Sequence, residues 1–332
     1  MLIHERFLFR RAHDWEWFTI LLIVASVSCG QKNANPIRIA TTTWPGAEFI
    51  HLAHSLGYFD DEGVAVRLIE FFTVGDARRA FEHGQVDVAN CTNLELILVN
   101  RLSDRQASIF FVTDFSHGSN MLLARPGLEG LGDLRGKRIA ADPGTIDILA
   151  LVLALESVGM TLADVQLTPL PQNAMANALH RGEVDAVQTY PPFSNKIYKK
   201  AAAIKLFDSS RIPMQLVGAL LTDQQTLHER TDDLAKILRA ILRAQEYYRE
   251  RPGEATQQMA ERLDLIDHEF TEAMSGIRIV QRHEQDALLS PGSPLDNALN
   301  VAHRVLQQTG TLDRPIRKVN WMSNVPNRRA KP

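Results

Sequence analysis

Ala80-Phe81-Glu82-His83-Gly84-Gln85-Val86-Asp87-Val88-Ala89 and Ala178-Leu179-His180-Arg181-Gly182-Glu183-Val184-Asp185-Ala186-Val187 obey one grammar. Each reads as the end of a helix, a glycine stop and an Asp-bearing apolar strand. Glycine ends helices because it takes left-handed backbone without a Cβ clash. Two such units in one chain point to two halves built alike, although helix–glycine–strand is also common grammar on its own.

Working outward from the first unit, residues 37–42 alternate as a strand, and Trp44-Pro45-Gly46 breaks it. Ala47 to Leu56 predicts a helix with Phe49, Ile50, Ala53 and Leu56 on one face. Gly57 closes it, a second strand follows over 64–69, a helix over 76–83 and a third strand over 86–89. Around the second unit the rhythm restarts: strand 137–141, an apolar helix opened by Pro143-Gly144-Thr145, strand 165–170, helix 173–180 and strand 184–189. This order predicts an α/β protein with largely parallel sheet. Helices are then expected over 227–251, 252–263, 267–277 and 295–309, returning to brace the first half. Arg328, Arg329 and Lys331 read as a solvated tail.

The chain has 332 residues and a net charge of −3. No basic domain marks a nucleic-acid partner. The two cysteines, Cys29 and Cys91, form no zinc spacing and no disulfide framework. No metal, cofactor or catalytic residue is expected, since no phosphate-binding loop, nucleophile elbow or zinc-protease pattern occurs. At the N-terminus, Arg6, Arg10 and Arg11 precede the apolar run Trp17–Val27. A membrane-spanning helix needs about 20 residues, so this run reads as a signal peptide over 1–28. It ends in Ser26-Val27-Ser28-Cys29-Gly30, which resembles a bacterial lipobox with Ser26 where Leu is usual. Cys29 is then the lipidated first residue of an exported protein at the periplasm or cell surface, and 29–36 its tether. A plain cleaved signal and an uncleaved anchor are the other readings.

In open α/β sheets, ligands bind beyond the carboxyl ends of the strands. That rule selects loops 43–46, 73–76, 90–93, 114–120, 142–147 and 189–192. Trp44 offers a ring to stack on a ligand or to pack under its loop. Gly46 suits close backbone approach or a simple turn. Asn90, Thr92 and Asn93 offer amides and a hydroxyl. Gly144 and Thr145 open a helix whose free N–H groups suit an anion. Asp142 reads as its cap, and Asp147 in its first turn could pair a ligand cation. His117 lies at a passage between the halves, where it is a hinge-surface histidine or a contact. Tyr190 could wall the cleft. Cys91 reads as a buried thiol, with no base paired to activate it.

Trp44-Pro45-Gly46 with Ala53-His54-Ser55-Leu56-Gly57-Tyr58-Phe59 resembles the opening of the taurine, alkanesulfonate and nitrate-type substrate-binding proteins, a group that includes binders of thiamine-pyrimidine precursors. Leu134-Arg135-Gly136-Lys137-Arg138-Ile139-Ala140 is similar to that family's entry into its second lobe, and Gly144-Thr145 to its helix start. Val184-Asp185-Ala186-Val187 with Pro191-Pro192-Phe193 resembles a further motif, in which Pro191 replaces the usual Glu. The resemblance covers about 37–250. It implies a type II periplasmic-binding fold: two α/β lobes joined by two crossover strands near 115–124 and 213–222. Lobe one would hold 37–118 and 219–320 with the C-terminal helices, lobe two 119–218, and 321–332 would be tail. It also implies a monomer that captures a small sulfonate-, amine- or pyrimidine-like molecule for an ABC permease and ATPase. An enzyme on the same scaffold and a tethered sensor for a membrane receptor are the other classes.

Overall fold

The computed structural model describes residues 35–312 and 321–330. The first half alternates β1 (Ile37–Thr41), α1 (Glu48–Ser55), α2 (Tyr58–Asp61), β2 (Val66–Glu70), α3 (Val74–Glu82), β3 (Val88–Thr92), α4 (Asn93–Leu102) and β4 (Ala107–Ser116). The second runs through β5 (Met121–Ala124), β6 (Arg138–Ala141), α5 (Ile146–Glu156), β7 (Gln166–Pro169), α6 (Gln172–His180), β8 (Ala186–Thr189), α7 (Phe193–Lys200) and β9 (Ile204–Asp208). Then come β10 (Val217–Asp223), α8 (Gln224–Glu229), α9 (Thr231–Glu250), α10 (Pro252–Arg262), α11 (Asp267–Ser275), β11 (Ile277–Ile279), α12 (Gln285–Leu288), α13 (Pro294–Gln308) and α14 (Val325–Arg329).

Two sheets form, a six-stranded one in the order β11-β4-β10-β3-β1-β2 and a five-stranded one in the order β7-β6-β8-β5-β9. The chain leaves the first sheet after Ser116, enters the second at Met121, and returns from Asp208 to Val217. This is the type II arrangement: two α/β lobes with two passages between them. The return lies over 209–216, ahead of the expected 213–222, because β10 begins at Val217. Each sheet is parallel at one end, where β1, β2 and β3 pair and β6, β7 and β8 pair. It is antiparallel at the other, through β10 with β3 and β4 and through β5 with β8 and β9. The sheets are therefore mixed rather than largely parallel, because each passage delivers its strand in reverse direction.

The repeated motif is a repeated geometry. Gly84 and Gly182 both take left-handed backbone, at φ 69° and 68°. After the stop, the Arg38 guanidinium and backbone N–H both grip Asp87, with N–H to Oδ2 at 2.9 Å. Arg138 holds Asp185 the same way, again at 2.9 Å from its backbone N–H. Asp87 thus ties the start of β3 to β1, and Asp185 ties the start of β8 to β6. Burial pushes Asp87 up, but the hydrogen bonds and charge of Arg38 outweigh it, and those of Arg138 do the same for Asp185, so both carboxyls lie below the usual Asp range.

The core follows from these patterns. α5 is apolar on nearly every face and buried on nearly every face. α13 packs on α4 of the first lobe and also on α5 of the second. α9 and α10 pack on α1, as expected of returning helices. Two local expectations need correction. Residues 90–93 are no loop: β3 continues to Thr92 because β10 pairs with Asn90, Cys91 and Thr92 and satisfies their backbone. Asn93 then opens α4. Residues 321–330 are no free tail either. Trp321 and Ser323 bond to Ile109, Asn327 donates to the Phe110 carbonyl, and Arg329 pairs with Asp232. Ala330 is 2% exposed. Lys331 lies outside the described residues, as do the export segment and Cys29.

Candidate functional site: a cavity between the two lobes

The strand ends of both sheets converge on one cavity of about 50 Å³. Ordinary ligand sites hold roughly 300–1,000 Å³, so the lobes are drawn closely together here. Its wall takes Trp44 and Thr42 after β1, Asn90 to Thr92 on β3, and Asp114 and Ser116 on β4. Ile146 at the start of α5 and Tyr190 after β8 close it from the second lobe, and Asn120 from the passage.

Aromatic rings bridge the lobes. Trp44 meets Tyr190 edge to face at 5.8 Å between centroids. Tyr190 meets Phe193 at 5.4 Å, and Phe193 meets Phe72 of the first lobe at 5.5 Å. Edge-to-face packing is a favourable geometry for such rings. Two further contacts cross the gap on charge: Lys199 of α7 with Glu269 of α11 at 2.8 Å, and Arg304 of α13 with Glu156 of α5 at 2.6 Å.

The polar centre of the wall is Asp114, 1% exposed. Its Oδ1 accepts the Trp44 indole N–H at 3.0 Å, and its Oδ2 accepts the Thr113 hydroxyl at 2.7 Å. No cationic side chain is among its contacts. Burial pushes its pKa up to about 6, against the pull of those two hydrogen bonds. Two glycines make room for it. A Cβ at Gly46 would lie 2.6 Å from Oδ2 and one at Gly218 would lie 2.5 Å away. Beside it Asn90, 4% exposed, has an amide nitrogen with no hydrogen-bond partner.

Of the residues selected from sequence, Trp44, Asn90, Thr92 and Tyr190 line the cavity. The others serve elsewhere. Gly46 allows the close approach expected of it, but to the side chains of Asp114 and Trp44. Asn93 is a buried staple, donating to the Gln215 and Ala298 carbonyls and accepting from the Val217 N–H. Gly144 holds a left-handed turn at φ 70°. Thr145, not Asp142, caps α5 by accepting the Asp147 N–H at 3.3 Å. Asp147 is 0% exposed and lies behind the wall, accepting from Gln172 at 2.5 Å. Burial, reinforced by Asp142, raises its pKa. His117 is exposed on a separate depression with Asp208, Glu269 and Glu272, where its backbone N–H donates to Gly276.

Sequence reading passed over Asp114 itself, although the 114–120 window contains it. The available signal was an acid with no cation near it in the apolar run Ala107–Ser116. Glu95 was also missed. It is fully buried at the start of α4, accepts the Thr92 hydroxyl, and reaches the N-terminus of α5 to accept the Ile146 N–H at 3.2 Å. Burial raises its pKa too. The expected anion position at that helix is thus filled by a carboxylate of the other lobe. Cys91 lines the cavity, and burial pushes its thiol up, away from the reactive thiolate. Among the described residues, no cluster of His, Cys, Asp or Glu is placed to hold a metal ion, and no helix is long and apolar enough to cross a membrane.

Comparison with known proteins agrees with this architecture. A Brucella abortus (strain 2308) protein named as a binding protein is 25% identical over 167 residues, 48% of this chain and 51% of its own. The chain thus spans about half the length of the curated relatives it matches. The periplasmic aliphatic sulphonate binding protein SsuA of Escherichia coli superposes with a TM-score of 0.73 at 14% identity, over 87% of this chain and 92% of that one. The desulfurization enzyme DSZB shares the fold at 0.64 and 15%, over 89% and 98%. The family model described as NMT1/THI5 like matches residues 44–255. The chain belongs to the NMT1/THI5-like family.

Proposed function

We propose that this chain is an extracytoplasmic solute-binding protein. It captures a small organic molecule by closing its two lobes and delivers it to an ABC importer. The observation that carries this reading is the shared cavity, whose wall takes Trp44 and Asp114 from one lobe and Tyr190 and Ile146 from the other. A ligand that touches both sheets binds the shut form better than the open one, and that difference is what drives closure. The family membership and the SsuA-like fold support it. The fold is shared with an enzyme, but burial outweighs the pull of Arg78 on the Cys91 thiol, and no His or Lys among the described residues lines the cavity to activate it, which favours binding over catalysis. Export by the N-terminal segment and lipidation of Cys29 complete the reading. Replacing Cys29 by Ala should release the protein from the membrane fraction.

The test is a melting screen of the full chain against small organic solutes. A solute at 100 times its dissociation constant adds about 2.7 kcal/mol to stability. A clear rise with one chemical class supports capture. A flat response across sulfonates, carboxylates, amines and neutral heterocycles contradicts it.

A further inference from the structure

Resting on that reading, we infer that the ligand is a small organic cation bearing N–H donors, held by the Asp114 carboxylate and the Asn90 amide in the cavity that Trp44 and Tyr190 also line. Asp114 is the only charged side chain lining the cavity among the described residues. A buried carboxylate without a countercharge is unfavourable on its own. Trp44 and Thr113 supply one hydrogen bond to each oxygen, and a carboxylate accepts about four. The remaining capacity is met by N–H donors of a cation. Gly46 and Gly218 leave the space that the carboxylate fills, since a Cβ at either would collide with it. The unpartnered Asn90 amide is the second polar point, on the interior strand β3 of the same wall.

The surroundings disfavour an anion. Burial, and after it the neighbouring acids Asp147, Asp142 and Glu95, raise the pKa of the Tyr190 hydroxyl. Glu95 already occupies the helix N-terminus where an anion would sit. Arg78, the buried cation nearest this group, is paired with Glu82. The faces of Trp and Tyr attract cations as well as apolar rings. Sulfonate binding, the property of the Escherichia coli SsuA protein, would call for a cation, and none lines this wall among the described residues.

The experiment is calorimetric titration of the full chain with matched sets: ethylammonium and benzamidinium, acetamide and benzamide, ethanesulfonate and benzenesulfonate. The expected result is binding of a cation at least tenfold tighter than its neutral and anionic counterparts. Asp114→Asn should weaken that cation by about 10- to 100-fold, the usual worth of a hydrogen bond to a charged group. Asn90→Ala should weaken it about tenfold. Melting of each variant without ligand confirms that it is folded. Preference for a sulfonate or an amide, or cation affinity unmoved by Asp114→Asn in a folded variant, overturns the inference and leaves solute capture standing. No binding by any of the sets, with a flat solute screen, overturns both.

Discussion

Trp44 donates its indole N–H to Asp114 across 70 residues of chain, at 3.0 Å, and so fixes a buried carboxylate at the cavity wall. That carboxylate is a liability to the ligand-free fold. Its pKa rises from 3.8 to about 6 on folding, chiefly by burial. The folded state therefore binds the proton more tightly than the unfolded chain, and stability falls as pH rises from about 4 through 6. Asp114→Asn removes the titration while keeping an acceptor for Trp44. We predict that it raises ligand-free stability at pH 8 by up to about 3 kcal/mol and leaves it unchanged near pH 4. Urea denaturation at both pH values checks this. A variant less stable than wild type at pH 8 contradicts it.

Gly218 sets the position of the same group. An added Cβ would lie 2.5 Å from Asp114 Oδ2 and 2.8 Å from Thr113 Oγ1. Gly218→Ala should cost about 1–3 kcal/mol by overpacking and should displace the carboxylate. Solute affinity is expected to fall more than stability. Denaturation midpoints and titrations on one preparation separate the two effects.

Arg262 ties α10 to the buried Glu48 at 2.7 Å and to Glu70 at 2.9 Å. Burial raises the Glu48 carboxyl to about 7 even with this partner. Arg262→Ala should destabilise by about 3–5 kcal/mol at pH 8, since it strands a buried charge. At pH 5 Glu48 is protonated and needs no cation, so the loss should shrink. Equal losses at both pH values would contradict the assignment.

Lys199 and Glu269 clasp the two lobes away from the cavity, with Glu269 on the separate depression that holds His117. The lysine side chain is 59% exposed, so the pair is worth at most about 1 kcal/mol. Lys199→Ala should therefore weaken solute binding by no more than about fivefold, with the effect fading at high salt. Its melting temperature without solute should hardly move. A large loss of stability would place the pair in the fold rather than in closure.

How much was legible follows from where each signal resides. The glycine stops at 84 and 182 and the paired Asp strands are local features, so both lobes could be read before any contact was known. Trp44, Asn90, Thr92 and Tyr190 were legible because strand ends face the gap in this class of sheet. Asn93 and Thr145 misled because their polar groups satisfy backbone donors and acceptors rather than a ligand. Asp147 misled because its partner Gln172 is distant in sequence. Asp114 stayed hidden for a different reason. Its role depends on two glycines, Gly46 in the turn after β1 and Gly218 on β10, that approach it from distant parts of the chain. No periodicity records such a meeting. The docking of 321–330 was invisible likewise, since it rests on backbone contacts with Ile109 and Phe110.

Small-angle scattering of the full chain tests capture by closure most directly. The solute that gives the largest melting rise should lower the radius of gyration, as two separated lobes shut around it. Asp114→Asn at the same concentration should keep the wider curve. Superimposable curves with and without a bound solute would contradict a hinge that closes on its ligand.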